Sequence, residues 1–299
     1  MQIDMHQWDV GSFTAFETYT VCFFGEVMDE RGRTAVDLVT ASSDKAFNVR
    51  YSTDDQCLFI DDQIVQCHEL RDWLECVDSS SVLIEATTLG FPELALIISA
   101  YFPLRGCRIA ISYIEPGEYK AKKEDLVSDR EFLLSDKLIG YEGIPTLAKE
   151  LDGHIDNCVV FFVGFEPARL SRAFEEQPIS PAHCSLVFGV PPYRLGWETN
   201  SYHNNIRCLS EHNLRNRIFY CAADNPRSAY EKLLEIKKSL GDGQRLFVAP
   251  IGTKPLGIGA AIFGAVHSDD VGLLYDHPVK SPDRSRGCGP LHIFAIIEV

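Results

Sequence analysis

The chain has 299 residues, with 28 basic against 43 acidic side chains and a formal charge of -15. A field of that sign repels a polyphosphate chain at long range, so a duplex nucleic acid is not an expected partner, while a local basic pocket for a small nucleotide is still allowed. With 45% hydrophobic residues the chain can bury one large core or two ordinary ones, and disorder over its whole length is excluded. Its 10 cysteines are scattered without a C-x-x-C pair. Together with the missing signal-peptide pattern, this points to reduced thiols and a cytoplasmic location. Apolar runs break before membrane-spanning length, so no membrane partner is expected.

In chain order, residues 1–16 mix polar and aromatic side chains without a clear period and are expected to be a loosely docked arm or short edge strand. Residues 19–27 (YTVCFFGEV) form a strand, and 31–42 carry Ala35, Leu38 and Val39 at helical spacing. Residues 46–51 and 57–66 are β-rich around a polar turn, which predicts a hairpin or two adjoining strands. Leu70, Trp73, Leu74 and Val77 share a helical face. A nearly continuous apolar strand follows over 82–86, then the turn Thr87-Thr88-Leu89-Gly90. An apolar helix over 91–102 with Pro92 in its first turn leads to a strand over 108–114.

From 117 to 157 the pattern weakens. Charges gather at Lys120, Lys122, Lys123, Glu124, Asp125, Asp129, Arg130 and Glu131, and a short helix is expected over 146–151. The programme then restarts, with a strand over 158–163 (CVVFFV), a helix over 167–176 and a strand over 185–190. Residues 193–216 are polar, rich in asparagine and aromatics, and expected to form a long irregular insertion. A strand over 218–222, a helix over 228–240, a strand over 245–249, a small-residue helix over 256–266 and a strand over 271–275 follow. A Gly/Arg loop over 281–289 and a terminal strand over 291–297 close the chain.

Phe23-Phe24-Gly25-Glu26 resembles Phe161-Phe162-Val163-Gly164-Phe165-Glu166, and each precedes an arginine-bearing helix in which Arg31, Arg33 and Ala35 answer Arg169, Arg172 and Ala173. Later, each half has a strand, a Thr-bearing turn, an apolar helix and a strand closing at Glu115-Pro116 or Asp276-His277-Pro278. The expectation is an α/β protein of tandem Rossmann-like units with mainly parallel sheets related by a pseudo-two-fold axis. The units are expected over 17–156, including the connector, and 157–299, including the inserted loop 193–216.

Strand-to-helix turns in such sheets present backbone N–H groups at helix N-termini, where anions are favoured. Gly252, Thr253 and Lys254 are accordingly the first candidate ligand contacts, joined by Thr87, Thr88 and Gly90 in the matching turn and by Asp224 and Asn225 at another strand end. Thr88 is also a plain N-cap candidate. Glu26, Glu166, Asp276 and His277 are the acid–base candidates should the protein be an enzyme. Arg284 and Arg286 make the final loop a flexible connector or an anion contact. Cys57, Cys67, His68 and Cys76 match no metal-site spacing, so no metal is expected. Trp197, Tyr202, His203, Asn204 and Asn205 suit base stacking or a protein interface.

The turn IGTKPLGIGAA, at 251–261, resembles the G-T-K-P signature after a core strand in CARF domains, Rossmann-like sensors of cyclic oligonucleotides in prokaryotic immunity. Two such units in one chain are similar in plan to the SAVED domain. Ala249, Pro250 and Ile251 depart from the polar residues usual there. The resemblance implies a nucleotide-sensing subunit of a defence or signalling system, with its ligand at the strand ends between the two halves, no further cofactor, and a protein partner or effector. A nucleotide-cleaving hydrolase and a non-catalytic interaction subunit are the alternatives.

Overall fold

The computed structural model describes residues 2–14, 17–77, 80–102, 106–121, 132, 134–151, 157–214, 217–241 and 243–297. Contacts divide the chain into two compact units, residues 1–120 with 281–299 and residues 121–280. This grouping differs from a cut at 156/157 over 121–156 and 281–299. The charged run at 122–131 lies outside the described residues.

Unit 1 contains β1 (Gln2–Trp8), β2 (Tyr19–Phe24), α1 (Glu30–Thr40), β3 (Ser43–Ser52), β4 (Cys57–Ile60), β5 (Gln63–Gln66), α2 (Leu70–Cys76), β6 (Ser81–Glu85), α3 (Phe91–Tyr101) and β7 (Arg108–Tyr119). The next elements belong to unit 2. These are β8 (Ser135–Leu138), β9 (Cys158–Val163), α4 (Pro167–Glu176), β10 (Cys184–Gly189), α5 (Trp197–Glu211), β11 (Ile218–Cys221), α6 (Pro226–Lys238), β12 (Leu246–Pro250), α7 (Lys254–Val266), β13 (Val271–Leu273) and β14 (Pro278–Lys280). The chain then returns to unit 1 as β15 (Ser285–Ile297).

The protein is α/β, as its alternating pattern predicts. Unit 1 has an eight-stranded sheet in the order β1-β15-β7-β6-β2-β3-β4-β5. Only the run β7-β6-β2-β3 is parallel; the strands flanking it on both sides pair antiparallel. The sheet of unit 1 is therefore mixed. The physical reason is local: β3, β4 and β5 are joined by tight turns at Gln56 and Asp61, both with positive φ, and such turns reverse the chain where a parallel pair needs a crossover. Unit 2 has a wholly parallel sheet, β11-β10-β9-β12-β13, and the short antiparallel pair β14-β8.

Both centres are built from strands covered on two faces. β9 is buried along its whole length and β6 nearly so, and continuous apolar runs are what a strand between two helical layers requires. α3 and α7 are apolar around most of their circumference and buried accordingly. The cores centre on Cys22, Val39, Leu83 and Ile114 in unit 1, and on Phe161, Leu186, Phe247 and Leu209 in unit 2.

Of the two forms expected at the N-terminus, the structure has the short edge strand, seven residues paired to β15 from Gln2↔Ile297 to Trp8↔Leu291. Other elements differ from expectation. The stretch expected as an irregular insertion holds a helix: α5 occupies 15 of its residues and supplies the crossover from β10 to β11. Residues 145–147 form a turn where a short helix is expected. The Gly/Arg loop is already part of β15 from Ser285 onward.

Candidate functional site

In an open parallel sheet the ligand crevice lies at the carboxyl ends of the strands, where successive connections leave in opposite directions. In unit 2 that point falls between the central strand β9 and its neighbour β12. The turns after these strands, Gly164-Phe165-Glu166 and Ile251-Gly252-Thr253, lie against each other. A Cβ at Gly164 would collide with the Ile251 carbonyl oxygen, and one at Gly252 would come within 3.1 Å of the Phe162 carbonyl oxygen. Two backbones meet there, which requires glycine at 164 and leaves little room for a side chain at 252.

Two helices start at this crevice. Glu166 is the N-cap of α4 and Thr253 the N-cap of α7, and neither side chain caps its own helix. Thr253 Oγ1 instead donates to the Ala223 carbonyl at 2.5 Å, tying the β12–α7 turn to the β11–α6 turn. Glu166 Oε2 accepts from Ser135 Oγ at 3.1 Å. First-turn amides without a side-chain cap leave the helix dipole open to an anion. Lys254 is the first residue of α7, and Pro255 follows it inside the first turn. Asp224 lies in the half-buried β11–α6 turn; Asn225 caps α6 by accepting from the Ser228 amide at 2.8 Å.

The β9–α4 turn is held by α5. Ser201 Oγ and Asn205 Nδ2 donate to the Gly164 carbonyl at 2.9 and 3.0 Å, and Asn204 Nδ2 to the Phe165 carbonyl at 3.0 Å. Trp197 and Phe132 each pack edge-on against Phe165 and tilted against each other. The polar residues of 193–216 thus serve partly as supports for this turn. Tyr202 and His203 face outward on the same helix.

Asp276 and His277 follow β13 and are both buried. Asp276 accepts from Arg169 Nε at 2.7 Å and from Arg169 Nη2 at 2.5 Å, so both its oxygens are engaged. Burial works against the Arg169 charge, but the Asp276 carboxylate more than reverses this and holds the guanidinium pKa well above its usual value. Arg169 Nη1 also reaches the Ile251 carbonyl at 3.4 Å. His277 Nε2 lies 3.2 Å from the Glu142 carbonyl oxygen. The adjacent Asp276 and His277 therefore face different partners and do not form an acid–base pair.

In unit 1 the turn after β6 has a different character. Glu85 is wholly buried and accepts from the Thr87 amide at 2.6 Å, the Thr88 amide at 2.8 Å and the Thr88 hydroxyl. Thr87 Oγ1 accepts from the Ile114 amide at 3.0 Å, and Thr88 Oγ1 from the Gly25 amide at 2.8 Å. Both threonines are buried and bound into the fold. The N-cap of α3 is Gly90, not Thr88. Glu26 is exposed in the β2–α1 turn. Among the described residues no group of three or more His, Cys, Asp or Glu side chains is arranged to hold a metal ion, and all ten cysteines are free thiols.

Sequence reasoning missed Glu85, Ser201 and Arg169 as organisers of the turns. Only Arg169 carried a signal, its alignment with Arg31 in the repeat. No helix among the described residues is long and apolar enough to cross a membrane. No family model matches the chain, and no curated protein is detectably similar to it.

Proposed function

We propose that the chain is a nucleotide-binding protein of the sensing type, serving a prokaryotic defence or signalling system. A phosphate-bearing ligand meets the carboxyl edge of the parallel sheet in unit 2 at Gly252, Thr253 and Lys254. The observation that carries this reading is the start of α7: a helix of 13 residues without a side-chain cap, at the switch point of a parallel sheet, with a lysine as its first residue. The G-T-K-P resemblance supports the ligand class. Both sheets share the parallel order β3-β2-β6-β7 and β10-β9-β12-β13, which supports a duplicated unit. Thr87 and Thr88 are bound internally, so the reading rests on the unit 2 turn. Titrating the protein calorimetrically with mononucleotides and cyclic oligonucleotides tests it. Saturable binding weakened about tenfold or more in Lys254→Ala is expected from loss of a charge-assisted contact. Absence of binding to every nucleotide removes the reading.

A docking role is favoured by a separate observation. Leu195 is 97% exposed, and Tyr202 and Ile206 on α5 are 39% and 37% exposed. Exposed large apolar side chains on and just before one helix suit a protein partner. Loss of co-purification on Leu195→Asp with Ile206→Asp supports that role, and an unchanged complex contradicts it.

A further inference from the structure

Each sheet is followed at its central strand by a helix with a buried arginine in its first turn: Arg169 in α4 after β9, Arg31 in α1 after β2. Arg169 is satisfied by both oxygens of Asp276. Arg31 is not matched in this way. It is 3% exposed, and its Nη1 donates to the Ile114 carbonyl at 3.1 Å and to Tyr113 Oη at 3.5 Å. Asp29 Oδ2 lies 3.8 Å from its Nη2, and its Nε is buried without a hydrogen-bond partner. Asp29 is already engaged: Oδ1 accepts from the Gly32 amide at 2.8 Å, and Oδ2 accepts from the Ser285 hydroxyl.

A second arginine enters the same cluster through its chain neighbour Ser285, whose hydroxyl donates to Asp29. Arg284 immediately precedes β15, whose Ser285 is paired with Tyr119 at the end of β7. Its Nε is also buried without a hydrogen-bond partner. Burial, and then repulsion from Arg31, push the Arg284 pKa below its usual value, and Tyr119, Asp29 and Tyr113 only partly oppose this. At Arg31 the surroundings more than offset the cost of burial and raise its pKa, whereas at Arg284 they do not, and a further anion joining the pair relieves that cost.

From this geometry we infer that unit 1 binds a phosphate-type oxyanion between Arg31 and Arg284, at the carboxyl end of β2 and the start of α1. Guanidinium groups donate in a fixed fork that matches phosphate oxygens, and two of them present donors from different directions. The Ser285 and Tyr113 hydroxyls adjoin the same cluster. The inference is independent of the α7 site and survives its failure.

The full chain is titrated by calorimetry with inorganic phosphate and, separately, with AMP, in a phosphate-free buffer. Saturable binding of inorganic phosphate is expected, weakened about tenfold or more in Arg284→Gln, from loss of hydrogen bonds to a charged group. Tighter binding of AMP that is also weakened in Arg284→Gln identifies a phosphorylated metabolite as the source, and equal, Arg284-dependent binding identifies free phosphate; either supports the site. The inference is overturned if neither anion binds the wild type, or if binding follows Lys254 and survives Arg284→Gln. Circular dichroism checks the fold of the variant. If Arg284→Gln does not fold, Arg284→Lys, which keeps the charge and loses the fork, takes its place, and undiminished binding there overturns the inference.

Discussion

Arg169 and Asp276, 107 positions apart in sequence, form a buried two-point ion pair with Nε–Oδ2 at 2.7 Å and Nη2–Oδ1 at 2.5 Å. The pair fastens the segment after β13 to the first turn of α4, and through Arg169 Nη1 it touches the Ile251 carbonyl at the edge of the candidate ligand turn. Removing one member strands the other charge in the interior. Asp276→Asn is expected to destabilise the protein by about 3–5 kcal/mol, the usual result of breaking a buried pair from one side. Urea denaturation measures it, and a change below about 1 kcal/mol, the range of an exposed pair, contradicts the assignment.

The close approach at Gly164 gives a second prediction. A methyl group there meets the Ile251 carbonyl oxygen with no space to move into. Gly164→Ala is expected to cost about 1–3 kcal/mol by overpacking and to weaken nucleotide binding through displacement of the Ile251-Gly252 turn. Gly196→Ala is a different control: no atom lies near its added methyl, but its φ of 95° strains any residue with a Cβ. Its loss of stability is expected without a loss of binding, and calorimetry on both variants separates the two.

Glu85 organises the turn after β6 through the Thr87 and Thr88 amides and the Thr88 hydroxyl. A glutamine keeps the shape but turns an NH₂ group toward a donor. Glu85→Gln is therefore expected to lower stability by about 1.5–3 kcal/mol, the scale of hydrogen bonds to a charged group. Thermal unfolding checks this. A neutral result shows that the turn does not need the carboxylate.

His267, after the last turn of α7, carries a pKa lowered from its ordinary 6.5 by burial and then by Lys237, with Asp270 opposing. Below 6.5 the unfolded chain takes up a proton that the folded chain resists, so stability falls as pH falls through that value toward the lower folded pKa. Urea midpoints at several pH values around 6.5 are expected to show a steeper acid decline in the wild type than in His267→Gln. Parallel curves contradict the assignment.

The parts of the fold that sequence reveals are those in which apolar side chains do the signalling. β6, β9, β10 and β12 are legible because strands covered on both faces are continuously apolar. α5 is not, since its buried stripe of Ser201, Asn205, Cys208 and Leu209 has helical spacing but polar or small side chains. β1 is mostly exposed at the sheet edge, and the first residues of β15 carry glycine and arginine, which read as a loop. The site divides in the same way. The Gly252-Thr253-Lys254 turn is visible as a local motif, whereas the commitment of Asp276 to Arg169 and of Thr88 to Glu85 depends on side-chain contacts that spacing does not encode.

The central claim is that a nucleotide phosphate sits on the backbone amides of the Gly252-Thr253-Lys254 turn that leads into α7. Backbone amide NMR during titration with a nucleotide that binds tests it most directly. The account predicts that the largest shifts fall on Gly252, Thr253 and Lys254, with smaller ones at Gly164, and that Lys254→Ala weakens them all together. Saturable binding with those four amides unmoved contradicts it.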